Sequence, residues 1–150
     1  MRRCPDPRPQ RPMHAALCAA CLVGLLAQAG CGRRPTLVPV SGRVTLDGKP
    51  LEFGSVMIQP TGGPAARGTV RPDGGFTVGT FAPGDGAIVG PATVRVACYE
   101  QQRPGAPPPQ GELALGKSLI PEKYTQFETS GLTATVAAGM GPLEIELKSK

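Results

Sequence analysis

From Val38 to Leu147 apolar side chains recur at every second position in short runs, and Gly or Pro ends each run before a helical period can build. Val38, Val40, Val44 and Leu46 share one face of an extended chain, while Ser41, Arg43 and Thr45 share the other. Asp47-Gly48-Lys49-Pro50 reads as a turn with Gly free to take a positive φ. Leu51 and Phe53 then restart the alternation on odd numbers, and Val56 and Ile58 continue it on even ones. One extra residue near Gly54-Ser55 would restore a single inward face, so a β-bulge is expected there. Short strands over 67–71 and 75–80, joined by Pro72-Asp73-Gly74, read as a tight hairpin.

The clearest strand covers 92–99, where Ala92, Val94, Val96 and Cys98 oppose Thr93, Arg95, Ala97 and Tyr99. Cys98 is thereby expected to be a small core residue. Leu132, Ala134, Val136 and Ala138 form another alternating set, and Leu143, Ile145 and Leu147 a last one, so the C-terminal segment is expected to be built into the fold. Between them, residues 101–116 hold four prolines and three glycines, which reads as a long exposed loop, in part polyproline II, and mobile, with a functional loop the alternative. Pro121-Glu122-Lys123-Tyr124 and Glu128-Thr129-Ser130-Gly131 are expected to fix the crossover into the next strand, with Tyr124 and Leu119 covering the core; a ligand-facing edge is the alternative. About seven short strands without an amphipathic helix describe an all-β chain folded as a two-sheet sandwich. The 21 glycines and 18 prolines then serve turns.

Residues 15–27 are all apolar or Gly, and as a helix they reach roughly 20 Å, short of a bilayer core of about 30 Å. Arg2, Arg3, Arg8 and Arg11 precede them against Asp6 alone. A basic head, a short apolar middle and small residues before a cut describe a secretory signal peptide over 1–30, with cleavage between Gly30 and Cys31. Ala29-Gly30-Cys31 resembles the end of a bacterial lipobox, with Gln28 where that motif usually carries an aliphatic residue. The resemblance implies that Cys31 becomes the first residue and is lipidated, several acyl chains anchoring the protein to a membrane. An ordinary signal peptide with an incidental Cys31 is the other reading, and Met13 is an alternative start. Residues 31–37 would be a tether, and 38–148 the folded domain.

Cleavage changes what the composition says. It removes four of the 16 basic residues and one of the 11 acidic ones, taking the formal charge from +5 to about +2. No basic stripe interleaved with aromatics remains, which argues against nucleic-acid binding. Cys4, Cys18 and Cys21 leave with the peptide, so with Cys31 acylated Cys98 has no disulfide partner. His14, the one histidine, leaves as well; a Ser-His-Asp or Cys-His pair, or a His-ligated zinc, then cannot be assembled.

The stretches "VPVSGRVTLDGKPLEFGSVMIQP", "GTVRPDGGFTVGT" and "GDGAIVGPATVRV" resemble carboxypeptidase regulatory-like, or transthyretin-like, domains. With "IPEKYTQFETSGLTATV" they are similar to the small planctomycete lipoproteins that carry such a domain. The similarity covers roughly 38–148 and implies a seven-stranded Greek-key β-sandwich of prealbumin type. Its motifs are turn chemistry, so they speak to fold and leave activity open. Asp47, Asp73 and Asp85 each precede Gly and suit tight turns, with calcium binding the sharper alternative.

These readings lead to an exported, membrane-anchored envelope protein with a structural or binding role. It would hold no catalytic, cofactor or metal site, and its partner would be an envelope protein or polysaccharide. A hydrolase on this fold would need histidines and a characteristic C-terminal tetrapeptide, whereas this chain ends "ELKSK". A surface-stalk module with an intramolecular isopeptide bond is a further alternative; with no Asn in the chain, that bond would have to join Lys to Asp.

Overall fold

A computed structural model describes residues 35–107 and 115–150. The proposed signal peptide, Cys31, the first part of the tether and the centre of the Pro-rich loop lie outside the described residues.

The chain is mostly β. It forms β1 (Leu37–Val38), β2 (Ser41–Leu46), β3 (Lys49–Pro50), β4 (Ser55–Pro60), β5 (Ala66–Thr69), β6 (Gly75–Thr77), β7 (Ala87–Ile88), β8 (Gly90–Ala97), β9 (Leu132–Val136) and β10 (Leu143–Leu147). One four-stranded sheet runs β5-β4-β8-β9, antiparallel throughout. In the other, β2 lies between β10 on one side and β3 with β6 on the other. β1 and β7 form a separate two-stranded ribbon. Both larger sheets turn alternate residues into one core: Val44, Phe76, Ile145 and Leu147 from one, and Val56, Ile58, Val94, Val96 and Val136 from the other. That is the period-two pattern expressed as burial.

The phase change after Pro50 has a different cause from the expected bulge. β3 pairs with β2, whereas β4 pairs with β5 and β8. Residues 51–54 therefore carry the chain from one sheet to the other, and a strand that changes sheets needs no bulge to re-aim its side chains. The turn Pro72-Asp73-Gly74 is present, with Gly74 at φ +79°; the Arg71 N–H donates to Gly75 O at 2.8 Å and the Gly74 N–H donates back to Arg71 O at 2.8 Å. Its arms again enter different sheets, β5 and β6, and they touch once more where Arg67 and Gly79 exchange backbone bonds of 2.8 and 2.9 Å.

β10 pairs parallel to β2, Leu147 opposite Leu46, so the last strand lies beside the first long one. The C-terminal segment is fastened further by the Asp47 carboxylate, which accepts the Ser149 N–H at 3.0 Å. Between β8 and β9 come a 3-10 turn, Glu122–Thr125, and a helical turn α1, Phe127–Ser130. Tyr124 is buried as expected, its hydroxyl accepting the Lys148 N–H at 3.2 Å. Leu119 is exposed, and its neighbour Ile120 takes the core position.

The Pro-rich segment also departs from a freely moving loop at both ends. Glu100–Gln102 form a 3-10 turn. Gln101 donates its N–H to Leu115 at 3.3 Å, Leu119 donates to Cys98 at 2.8 Å, and Gln102 Oε1 accepts the Tyr99 N–H at 2.8 Å. These bonds hold the two flanks side by side.

Candidate functional site

A groove of about 500 Å3 lies where the edge of β5 meets the loop after β6. Residues 66–71 alternate strictly, Ala66, Gly68 and Val70 inward and Arg67, Thr69 and Arg71 outward, so the two guanidinium groups and a hydroxyl form one row. Thr77 of β6 faces the same groove. At its end stands Phe81, at 65 % the most exposed large apolar residue among the described residues.

Phe81 is held out by its loop. Asp85 accepts three backbone N–H groups, from Thr80 at 2.6 Å, Ala82 at 2.9 Å and Phe81 at 3.1 Å. The Thr80 hydroxyl donates to Gly86 O at 2.8 Å. Desolvation pushes the Asp85 carboxyl upward, but the three amides together outweigh it and hold the group below its ordinary range. A loop fixed by one carboxylate presents an aromatic ring without ordering cost at the moment of contact.

The basic side chains of the groove are nearly free. Arg71 Nε lies 3.6 Å from Asp73 Oδ1, with both side chains well exposed, a geometry of small energetic weight. Arg67 makes no ion pair among the described residues. Asp73 itself accepts the Gly75 N–H at 2.9 Å.

The three Asp–Gly carboxylates stand in separate turns. Asp73 and Asp85 accept backbone N–H groups within their own turns, the work expected of turn residues, whereas the Asp47 carboxylate accepts the distant Ser149 N–H. All five lysines, Lys49, Lys117, Lys123, Lys148 and Lys150, are exposed; Lys148 pairs with Glu146. Cys98 is buried in the core, where desolvation pushes its thiol upward. Above it a second cleft of about 400 Å3 is lined by Phe53, Arg103 and the exposed Leu119, with the Arg103 guanidinium 5.6 Å from the Phe53 ring centre.

Arg95 lies on the outer face of β8, and the segment 121–131 covers it. It donates to Thr125 O at 2.8 Å, contacts Met57 Sδ at 2.7 Å and sits 5.2 Å from the Phe127 ring centre, while its Nε has no partner. This is a fastening between sheet and crossover. Neither Arg95 nor the Phe81 groove stood out in the sequence. The available signals were an aromatic residue inside the Gly- and Pro-rich "TFAPGDG" and two arginines on one strand face.

The chain matches no protein-family model, no curated protein and no solved structure. Among the described residues no helix is long and apolar enough to cross a membrane.

Proposed function

We propose that this chain is a lipid-anchored cell-envelope protein. Its domain, a seven-stranded Greek-key β-sandwich of the transthyretin-like type, serves binding and carries out no chemistry. The observation that carries the reading is the run 15–27 followed by Ala29-Gly30-Cys31, an export label ending in an acylatable thiol. β1 begins at Leu37, six residues beyond Cys31, so a tether reaching at most about 20 Å would hold the domain close to the bilayer. Among the described residues seven of the ten strands span three residues or more, which agrees with the strand number implied by the resemblance.

The groove supports recognition over catalysis. Its functional side chains are guanidinium, hydroxyl and phenyl, and the carboxylates beside it are spent on their own turns. The test is labelling of cells with a clickable fatty acid, comparing wild type with Cys31→Ala. Label and membrane partition in the wild type, both lost in the variant, are expected; an unlabelled wild type or an unchanged variant overturns the proposal.

A further inference from the structure

The structure points to a ligand for the groove: we infer that it binds a carboxylate-bearing polysaccharide, with Phe81 stacking on a sugar ring and Arg67 and Arg71 taking the acid groups. This rests on reading the domain as a binding module.

Charge comes first. Among the described residues the groove offers two guanidinium groups, one without an ion-pair partner and one in a loose exposed pair, and none of the residues lining it is acidic. Guanidinium forks match carboxylates in a bidentate way. Arg67 and Arg71 are four residues apart on an extended chain, which sets their Cα atoms roughly 13 Å from each other. Side chains standing off the strand side by side present their guanidinium groups at a similar interval, which suits a polymer carrying acid groups at intervals.

The apolar part fits a sugar better than a peptide. Hot spots for protein partners are desolvated pockets that swallow an anchor. Here the aromatic group projects outward on a pinned loop, and the groove it borders is also lined by Thr69, Thr77, Gly68 and Gly79. A flat exposed ring beside hydroxyls complements a pyranose, which has an apolar C–H face and a hydroxyl rim. Strand addition by a peptide is blocked at the centre of this edge, since Arg67 and Gly79 already satisfy each other's N–H and C=O groups.

The test uses the full-length chain in detergent and measures retention by polygalacturonate, with dextran as the neutral polymer and polyglutamate as the acidic peptide. Polygalacturonate is expected to bind, dextran to fail, and Phe81→Ala, Arg67→Ala and Arg71→Ala each to weaken binding about tenfold. Arg103→Ala removes the same charge elsewhere on the surface and is expected to leave binding unchanged. Three results would overturn the inference: no retention by polygalacturonate, equal loss with Arg103→Ala, or equally tight polyglutamate binding that ignores Phe81→Ala. The groove variants keep Cys31, so their membrane partition is read in parallel. Normal partition with failed binding sinks this inference alone, and lost partition of the wild type sinks the anchor alone.

Discussion

The carboxylate of Asp85 accepts the backbone N–H of Phe81 at 3.1 Å, and the residue it positions is 65 % exposed. A side chain so far exposed takes no part in the core.

That relationship gives a pH prediction. The folded Asp85 carboxyl lies below its ordinary 3.8, so the stabilisation it contributes is complete above the unfolded value and lost as pH falls through the lower folded value. The amide shifts of Thr80, Phe81 and Ala82 in NMR titration should move together with a midpoint below 3.8. Asp85→Asn should abolish that shared step and loosen the loop. A midpoint at or above 3.8 contradicts the assignment.

Arg95→Ala should destabilise the domain by about 2 kcal/mol, since a charged hydrogen bond to Thr125 O and a cation–π contact with Phe127 are lost together. Arg95→Lys should restore only part of this, because the ammonium lacks the fork that reaches Thr125 and Met57 at once. Urea midpoints at constant slope measure both.

Ser130 is buried, donates to Val94 O at 2.6 Å and accepts the Leu132 N–H at 3.2 Å, tying the end of α1 to β8 and β9. Ser130→Ala leaves a buried carbonyl without that partner and should cost about 1–3 kcal/mol. Thermal unfolding indistinguishable from wild type would contradict the role.

Gly42 occupies a strand position where any Cβ would press into the Leu143 carbonyl and the Phe76 ring. Gly42→Ala should therefore part β10 from β2 and raise amide exchange in the C-terminal strand by at least about tenfold. Unchanged exchange there would show that the parallel pair tolerates the added methyl group.

The inward faces were legible in the residues because a strand with one buried side must alternate: Val44, Val56, Val94 and Ile145 are all buried. Pairing was not. Nothing local in "LEIEL" says that Leu147 will lie parallel to Leu46, since that choice depends on residues a hundred positions away. Alternation also shows which face a side chain takes without showing whether that face is covered. Arg95 read as an outward residue, and the segment 121–131 encloses it. Leu119 and Ile120 differ by one position, and only the path of the chain after Cys98 decides which is buried. Phe81 lies outside any alternating run, so periodicity carried no information about it.

The most direct measurement is the mass of the N-terminal peptide from the protein purified out of its native membranes. The account predicts a chain that starts at Cys31, its sulfur carrying diacylglycerol. A peptide that begins upstream of residue 31, or a Cys31 found as an unmodified thiol, would contradict it.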